Sequence, residues 1–542
     1  MATIDITTMR GEMPRVVPHL LPEPSSVTAS NCHFRHGVIT PVLNDLSCDR
    51  VFTFKPETIF NYRADFWFAW KGIVDVIRSP MAKDLYNRIY YTDGTYPKVT
   101  SSQIATQGAG NYPAAHYRLG IPAPVNPIAI GAITPPSNVG EDDPTDDDSR
   151  FYVETYVTVY GEEGPPGPVS LEVTIVHPGS SVALKMEPPG SQNSNITRRR
   201  VYRSASGGGV ADYLLLVELD IAVRNYTDVS LDKELGPTLE TYDYFMPPED
   251  MIGLCQMSNG ICAGFAGNQV MFSEAYLPYA WPDNYKQTTA DNIVAIAPIG
   301  TGLVVGTEGF PYIFSGITPS NISNAQIKVT LSCVSRRSMV AMDGYALYAS
   351  PNGLVSVDGS GNAMVATENI IEAKQWRKIF KPETIRAWKV EGEYLALYEK
   401  ENGAQGCFIF NPEALDIRHM VEQFDTAYID PKTDKLYTVK DKSLYIFQGG
   451  TTPVALRWRS KPFLTPVGTS FSCLRIMSSS ISRVGVGIYV DDKLQLTLPP
   501  GSITDELLRL PVLTGRRWQI EVTGYAQVDR ITVSTSMQEM PA

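Results

Sequence analysis

The hexapeptide FKPETI occurs twice in this chain, at Phe54–Ile59 and at Phe380–Ile385. After Phe60 the first copy continues as NYRADFWFAWKGIVDVI, and the second continues directly as RAWKVEGEYLALYEKENGAQGCFIF; both continuations have the apolar and polar texture of strands. Six identical residues followed by matched texture predict two copies of one supersecondary unit. Internal repeats of strand units are typical of toroidal or stacked β architectures.

Composition also favours strands and turns over helices. The 542 residues include 42 glycines, 40 prolines and 28 tyrosines, and runs of Val, Ile and Thr recur throughout the chain. A chain of this length is too long for one ordinary core, so we expect several domains. The sequence therefore predicts a multidomain, all-β protein.

Charge and cysteine usage exclude several classes of protein. The net charge of −12 argues against a general nucleic-acid binder that neutralises phosphates. The seven scattered cysteines contain no CxxC pair, which predicts apolar core residues in a reducing compartment. The N-terminal stretch MATIDITTMRGEM lacks a signal-peptide pattern, and no uncharged apolar run reaches the length of a membrane helix. We expect a protein made in a cytoplasm, without a membrane span.

Shifts in texture predict six segments. Prolines in the first segment forbid a long helix, and a Pro-rich stretch followed by EDDPTDDD marks a linker. The predicted segments are an extended N-terminal arm (1–50), the first propeller blade or blades (51–125), a Pro-rich and acidic linker (126–149), a fibronectin type III-like insert (150–248), the remaining blades (249–452) and a C-terminal β-domain (453–542).

Two of these segments have a recognisable strand count. Residues 150–248 contain about seven short strands, as an immunoglobulin-like sandwich does, and the segments YVTVYGEEGPPGPVS, RRRVYRS and NYTD resemble a fibronectin type III domain. Residues 251–450 contain five units of two or three strands, at the spacing of propeller blades. With the unit at 51–120 these make a β-propeller of about six blades, which the sandwich interrupts.

Candidate metal and nucleic-acid sites have simpler explanations. His33 and His36 beside Cys32 lack a second ligand pair, so we interpret them as ordinary arm residues. The acidic run at 141–148 lacks the order of a calcium loop and is interpreted as a solvated linker. The densest basic stretch is interpreted as a solvated face of the sandwich, with a nucleic-acid patch as the alternative; it comprises Arg198, Arg199, Arg200 and Arg203.

Catalytic motifs were sought without success. The sequence contains no HExxH, GxSxG or GxxxxGK[ST] motif. A propeller glycosidase such as a sialidase would carry SxDxGxxW boxes, but SVDGSGN at 356–362 lacks the tryptophan and has no second copy. We therefore predict no enzyme, no catalytic residues, no cofactor and no metal.

The two ends of the chain carry a resemblance to a known family. RGEMPRVVPHLLPEPSSVTASNCHFRHGVITPV (10–42), RWRSKPFLTP (457–466) and FSEAYLPYAWP (272–282) resemble segments of the tail nozzle proteins of short-tailed bacteriophages, also called tail tubular protein B. The matching positions are candidates for structural or interface roles. They are Gly11, Pro14, Leu21, Pro22, Ala29, Asn31, Gly37, Pro41, Trp458, Ser460, Lys461 and Phe463.

The resemblance implies a structural role in the virion tail. Such proteins form a ring, usually a hexamer, below the portal and its adaptor; the ring lengthens and closes the DNA-ejection channel and docks tail fibres or spikes. Implied partners are further copies of the chain, the portal adaptor, fibre or spike proteins, and double-stranded DNA that passes without sequence-specific binding. Assembly would take place in the cytoplasm of the bacterial host.

Two other functions stay open at this stage. One is a propeller-based glycan hydrolase that the fibronectin-like domain positions on cell-surface polysaccharide. The other is an adhesion module in which the sandwich binds a host-surface glycan.

Overall fold

The structure is a computed structural model that describes residues 3–137, 139, 148–191, 193–205 and 212–540. Within these ranges the chain is almost entirely β-strand, with a single α-helix, α1 (Ala373–Phe380). No helix among the described residues is long and apolar enough to cross a bilayer. Short 3₁₀ turns occur at Pro18–Leu20, Asp232–Glu234, Asp283–Tyr285, Pro319–Asn321, Arg336–Ser338, Pro382–Thr384, Ile481–Arg483 and Met537–Glu539.

The strands of the N-terminal half are short and mostly antiparallel. The first eleven are β1 (Thr3–Ile6), β2 (Ser26–Ser30), β3 (Cys32–Arg35), β4 (Val38–Pro41), β5 (Leu46–Val51), β6 (Thr58–Arg63), β7 (Phe66–Trp70), β8 (Asp75–Arg78), β9 (Ile89–Thr92), β10 (Lys98–Thr100) and β11 (Tyr117–Arg118). The next twelve are β12 (Ala129–Thr134), β13 (Asp148–Arg150), β14 (Tyr152–Thr158), β15 (Val173–Ile175), β16 (Ser181–Lys185), β17 (Ile196–Ser204), β18 (Tyr213–Asp220), β19 (Asn225–Asp228), β20 (Ile252–Gln256), β21 (Cys262–Ala266), β22 (Gln269–Phe272) and β23 (Gln287–Thr288).

The C-terminal half has the same character. Its first twelve strands are β24 (Ile293–Ile299), β25 (Gly302–Thr307), β26 (Tyr312–Ser315), β27 (Ser323–Gln326), β28 (Val340–Ala341), β29 (Tyr345–Ser350), β30 (Gly353–Asp358), β31 (Ala363–Val365), β32 (Arg386–Val390), β33 (Glu393–Glu399), β34 (Gln405–Asn411) and β35 (Asp416–Met420). The remaining strands are β36 (Thr426–Asp430), β37 (Lys435–Lys440), β38 (Ser443–Ile446), β39 (Leu456–Ser460), β40 (Phe463–Thr469), β41 (Cys473–Ser478), β42 (Val484–Val490), β43 (Lys493–Leu498), β44 (Leu507–Arg509), β45 (Gly515–Gly524) and β46 (Val528–Ser534).

The chain divides into two compact units. The larger unit comprises Met1–Gly72, Asp291–Phe314 and Asn324–Ala542, and the smaller unit comprises Ile73–Ala290 and Ser315–Ser323. Both units contain four-stranded antiparallel sheets of the propeller-blade type. The predicted all-β class with propeller blades is therefore confirmed.

Four blade sheets belong to the larger unit. Their strand orders are β24-β25-β26-β27, β28-β29-β30-β31, β32-β33-β34-β35 and β36-β37-β38-β5. In the last of these, β5 comes from the predicted arm and pairs with β38, Ser47 lying opposite Tyr445. One blade is thus completed by a strand from the start of the chain, which ties sequence-distant segments together through backbone hydrogen bonds.

The first FKPETI copy leads into a two-stranded sheet beside that blade. Thr58 begins β6, and the β6–β7 hairpin packs on β36 and β37, with the Trp67 ring 4.9 Å from the Tyr437 ring. The Thr426 hydroxyl donates to the Glu57 carbonyl at 2.8 Å. The first copy thus lies beside the blade β36-β37-β38-β5, in a sheet of two strands.

The second FKPETI copy also precedes a blade hairpin, but it has a different local conformation. Phe380 ends α1, Lys381 has a φ of 39°, and Pro382–Thr384 form a 3₁₀ turn before β32 begins. Proline and isoleucine of the hexapeptide are buried in both copies. The shared sequence therefore marks the entry to a hairpin and does not fix one backbone shape.

The predicted arm and the C-terminal β-domain form one two-sheet structure. One sheet has the order β3-β4-β46-β41-β44, with β1 also paired to β46, and the other contains β2-β39-β45-β42-β43, with β40 on β45. Ile39 of the arm is fully buried in the same apolar core as Trp458 and Val522. The predicted arm is therefore packed on its own chain.

The smaller unit contains two blade sheets and the predicted sandwich. The blade sheets, β8-β9-β10-β11 and β20-β21-β22-β23, share a core that includes Tyr90 and Leu254. The sandwich has sheets β12-β16-β19 and β14-β17-β18, with β13 and β15 as a separate pair. Its strand β12 lies within the predicted linker 126–149, of which residues 140–147 are outside the described part of the chain.

Substitution of a buried isoleucine tests whether the arm stabilises its own chain. Replacing Ile39 by Ala removes buried methylene groups from the core of the C-terminal domain, and we expect a loss of about 2–5 kcal/mol in its free energy of unfolding. Chemical denaturation of the dilute chain, followed by tryptophan fluorescence, measures this loss. Val38→Ala, at the half-buried neighbouring position, is the control, and equal small effects of the two variants would contradict the arm's placement.

Candidate structural site at the arm junction

The candidate positions from the two ends of the sequence meet where β2 lies between two sheets. β2 runs antiparallel to β39, with Ser26 opposite Ser460 and Ala29 opposite Trp458. On its other edge β2 pairs in parallel with β35 of a propeller blade, through Ser30 and His419. We call this region, formed by residues 10–12, 26–31, 416–419 and 457–461, the arm junction.

Trp458 is the largest side chain of the junction and is completely buried. Its indole Nε1 donates a hydrogen bond to the Arg10 carbonyl at 3.0 Å, so its one polar group is satisfied. The residue opposite, Ala29, is also fully buried and leaves room for the indole. A small residue facing a large one is the pattern of a closely packed layer.

Gly11 allows the arm to approach β35 at backbone distance. Its N–H donates to Asp416 Oδ2 at 2.8 Å, and a Cβ at this position would lie 2.6 Å from the Ile417 carbonyl oxygen. The next residue, Glu12, exchanges two backbone hydrogen bonds with Ile417, of 2.7 and 3.2 Å. Any side chain at position 11 would push these strands apart.

Asn31 lies between β2 and β3, where the chain passes from one sheet to the other. Its φ is 53°, a left-handed conformation that asparagine tolerates better than most residues. Its side chain donates to the Ala455 carbonyl at 3.1 Å and accepts from the Val421 N–H at 2.9 Å. One side chain thereby ties the arm to the blade and to the C-terminal domain.

The remaining arm positions shape turns and edges. Gly37, with a φ of 83°, lies in the β3–β4 turn, and Pro41 is buried opposite Cys32. Leu21 is buried, whereas Pro22 is exposed and Pro14 is half-buried. These residues lie around the junction and do not converge on a cavity as reactive groups would.

The C-terminal candidate positions support the same region. Ser460 is fully buried, and its hydroxyl donates to the Lys461 carbonyl at 2.9 Å and accepts from the Ile520 N–H at 3.0 Å. The Lys461 ammonium donates to the Leu21 carbonyl. Phe463 is half-buried, opposite Trp518 in β45.

Sequence reasoning missed the ionisable residues of the junction. Burial raises the pKa of Glu12 to about 7, although Oε1 accepts the Ala29 N–H at 2.7 Å. Burial lowers the pKa of His419 to about 4, and its Nε2 lies 3.7 Å from Glu12 Oε2. Between about pH 4 and pH 7 the junction therefore favours a neutral carboxyl beside a neutral imidazole.

A buried ion pair between Arg418 and Glu393 lies beside His33. The Arg418 guanidinium, 2% exposed at its side chain, binds both oxygens of Glu393, one at 2.7 Å. Arg418 Nη2 also lies 3.3 Å from His33 Nδ1, and His33 Nε2 lies 2.6 Å from Gln448 Oε1. Nδ1 then accepts and Nε2 donates, which is a neutral imidazole, and burial together with Arg418 lowers the pKa of His33.

This network borders a cleft of about 480 Å³. Its lining includes Glu393, Gln448 and the exposed pair Arg35–Glu391, whose atoms lie 2.6 Å apart. Among the described residues, no group of three His, Cys, Asp or Glu side chains could hold a metal ion. Two of its carboxylates have cationic partners, Glu391 in Arg35 and Glu393 in Arg418, which suits a structural role.

The structure corrects the interpretation of the basic stretch as a solvated face of the sandwich. Arg199 and Arg203 are completely buried rather than solvated, at 2.9 Å from Glu154 and 2.8 Å from Asp228. Both lie on the central strand of the sheet β14-β17-β18, where only an ion pair makes burial of a guanidinium tolerable. Arg198 and Arg200, which point to the other face, pair with Glu218.

Two further sequence candidates have local structural roles or lie outside the described residues. Asp358 of SVDGSGN caps a hairpin turn, accepting the Ser360 and Asn362 N–H groups at 2.9 and 3.0 Å. Of the acidic run at 141–148, residues 141–147 lie outside the described part of the chain, and Asp148 pairs with Arg150 at 2.7 Å.

No protein-family model matches this chain, and no curated protein matches it. The WD40 domain of Neurospora crassa Pan2 is 9% identical over 50% of this chain and 84% of its own, with a TM-score of 0.24. An exo-β-1,3-galactanase from Phanerochaete chrysosporium, solved with galactose, is 9% identical over 90% of this chain and 100% of its own, with a TM-score of 0.18. PorZ, a surface component of the type-IX secretion system of Porphyromonas gingivalis, is 10% identical over 78% and 69%, with a TM-score of 0.24. Likenesses this weak carry no argument about this chain.

A single methyl group at position 11 tests the packing of the junction. Gly11→Ala places a Cβ against the Ile417 carbonyl, and we expect the free energy of unfolding to fall by about 1–3 kcal/mol. Gly72→Ala is the matched control, because a Cβ at that position meets nothing within 4 Å. Urea denaturation compares the two variants, and equal stability of both would contradict the close approach.

The buried Glu12 carboxyl predicts a pH dependence. The pKa of Glu12 rises from 4.5 in the unfolded chain to about 7 in the folded one, so the folded state binds the extra proton between these values. The stability that this proton confers is complete below about pH 4.5 and is lost as the pH rises through 7. Glu12→Gln lacks this loss. We expect its free energy of unfolding to increase relative to that of the wild type by up to about 3 kcal/mol between pH 4.5 and 8.

Thermal unfolding at a series of pH values measures this gain. The depressed pKa of His419 acts in the opposite direction, between about pH 4 and 6.5, but that residue is present in both chains. Glu23→Gln, at an exposed arm position, is the control. A constant difference between wild type and Glu12→Gln at every pH would refute the assignment.

Proposed function

We propose that this protein is a structural component of the tail of a short-tailed bacteriophage, a nozzle subunit that extends and closes the DNA-ejection channel below the portal and adaptor. The observation that carries the proposal is the convergence of the family-like positions. Residues from 11–41 and 458–463 meet around β2, where they are used for packing and backbone hydrogen bonds. Positions used for packing are what we expect in a structural protein that catalyses no reaction.

The ionisable groups support a role that is not enzymatic. Glu393, one of the carboxylates at the cleft, is bound at both oxygens by Arg418, and a carboxylate held in this way is a poor proton donor or nucleophile. His33 is held as a neutral bridge in the same network. We infer no catalytic residue and no cofactor.

The charge of the chain suits passage of DNA. With 58 acidic and 46 basic residues, the protein is expected to repel phosphates rather than to hold them at fixed positions. Double-stranded DNA is therefore proposed as a transient occupant of the channel. The other proposed partners are further copies of the chain in a ring, usually a hexamer in proteins of this kind, the portal adaptor, and tail fibres or spikes.

Electron microscopy of the purified chain and immunolabelling of virions test the proposal. We expect closed rings and a label at the distal tail. A chain that stays monomeric with the portal adaptor present and is absent from virions would remove the proposal. Release of reducing sugar from a host capsule would favour a glycan hydrolase, and glycan binding that depends on residues 150–248 would favour an adhesion module.

A further inference from the structure

The cleft beside His33 has the size and the enclosure of a small-molecule site. Its volume of about 480 Å³ falls within the roughly 300–1,000 Å³ that is typical of ligand pockets. Its lining residues come from the β3–β4 hairpin, from the blade β32-β33-β34-β35 and from the blade β36-β37-β38-β5, all within the larger unit. The cleft therefore lies where two blades meet the start of the chain.

One wall of the cleft is apolar and firmly held. Leu436 and Ile409 are buried in the core of these blades, and Phe447 packs against the same core. The Phe447 ring also meets the Phe424 ring edge to face, with 6.2 Å between the ring centroids. A rigid aromatic and aliphatic wall of this kind suits the C–H face of a ligand.

One polar group among the lining residues lacks a partner. Gln448 Oε1 lies 2.6 Å from His33 Nε2, whereas the amide nitrogen of Gln448, Nε2, is buried without a hydrogen-bond partner among the described residues. An amide nitrogen carries two N–H donors, and leaving buried donors unpaired costs free energy. A ligand oxygen in the cleft would supply the acceptor that Gln448 lacks.

The network behind Gln448 fixes the orientation of its amide. Arg418 Nη2 donates to His33 Nδ1 at 3.3 Å, so His33 Nε2 carries the proton and donates to Gln448 Oε1. A flipped amide would place its NH₂ group against this N–H. The backbone of Gln448 is held as well, with a φ of 51° and an N–H that donates to Asp45 Oδ1 at 2.7 Å. The unpaired donor is thus held in position before any ligand arrives.

The rim of the cleft carries balanced charges. Arg35 and Glu391 form an exposed pair, and Asp434 and Lys435 adjoin each other at the β36–β37 turn, where both are exposed. The rim therefore offers cationic donors and carboxylate acceptors in equal number. A charged ligand meets no excess of opposite charge here.

These features favour one class of ligand. A wholly apolar molecule would leave Gln448 Nε2 without an acceptor, and an ionic molecule would gain little from a balanced rim. A neutral sugar ring combines a C–H face, which packs on Phe447, with hydroxyl groups that both accept and donate hydrogen bonds. Its hydroxyls match the Gln448 donors and the Glu391 and Asp434 acceptors.

We propose that this cleft binds a neutral saccharide unit, with a hydroxyl oxygen accepting from Gln448 Nε2 and a ring face packed on Phe447. Binding takes place without turnover, since Arg418 holds both oxygens of Glu393. The inference goes beyond the proposed function and does not rest on it, because the cleft is formed within a single chain.

Saturation-transfer NMR of the full-length chain tests the site, with D-glucose, D-galactose, D-mannose and N-acetyl-D-glucosamine as probes. We expect transfer to the ring protons of at least one sugar. Gln448→Leu removes both amide donors at similar volume and is expected to raise the dissociation constant about tenfold. Gln326→Leu is the matched control, since Gln326 is exposed on β27 and its amide nitrogen donates to the Tyr312 hydroxyl at 3.0 Å.

A second variant tests the cleft without changing the network. Leu43 lines the cleft and is 37% exposed, so Leu43→Trp adds bulk at its mouth without removing a buried side chain. We expect this variant to lose saturation transfer, and circular dichroism verifies the fold of each variant. If Gln448→Leu does not fold, Leu43→Trp decides the outcome.

The possible results separate this inference from its alternatives. The inference is wrong if none of the four sugars receives saturation, or if transfer survives in the folded cleft variants. It is also wrong if N-acetyl-tyrosinamide, a neutral amide probe, binds at the cleft while the sugars do not, because the occupant is then a peptide. None of these results bears on ring formation or on the presence of the chain in virions, which test the proposed function.

Discussion

The larger unit depends on β2, a strand of five residues that is paired on both edges. One edge extends a propeller blade through β35, and the other joins the C-terminal domain through β39. The result is a single sheet that runs from β32 to β43. Backbone pairing leaves little rotational freedom, so the blade and the C-terminal domain behave as one body wherever β2 is in place.

The arm junction holds this strand with neutral and paired groups rather than free charges. Glu12 accepts a backbone N–H in a site that favours its protonated form, and His419 beside it is uncharged at neutral pH. Arg418 is charged, and both Glu393 oxygens bind it in its buried position. The sandwich applies the same rule to Arg203 and Asp228, since a buried charge is tolerable only with a partner.

The sequence predicted those features of the fold that short-range residue patterns encode. The FKPETI repeat and the hairpin texture predicted the blades, and the alternation in FYVETYVTVYG predicted a strand of the sandwich. Strands β1 to β5 were taken for an arm because their prolines and short apolar runs carry no periodic signal. Apart from the β3–β4 hairpin, their partners lie hundreds of residues away, and pairing at that distance is decided by tertiary packing.

The candidate site shows the same limit. The sequence resemblance identified Gly11, Ala29 and Trp458 separately. Only the register of β2 shows that they lie in one region. Arg199 was interpreted as solvated, because the segment RRRVYRS does not reveal its ion-pair partner. That partner, Glu154, lies on the neighbouring strand.

The distance between partners also constrains how the chain folds. Trp458 donates to the Arg10 carbonyl across 448 positions, and β5 meets β38 across nearly as many. Both pairings must wait until most of the chain has been made, so during synthesis β1, β2 and β5 lack the partners they have in the folded chain, whereas β3 and β4 can pair with each other. Once formed, these pairings hold the start of the chain at two places, in a blade and in the C-terminal domain. A chain that folds in this way commits its N-terminal segment to its own blade and its own C-terminal domain.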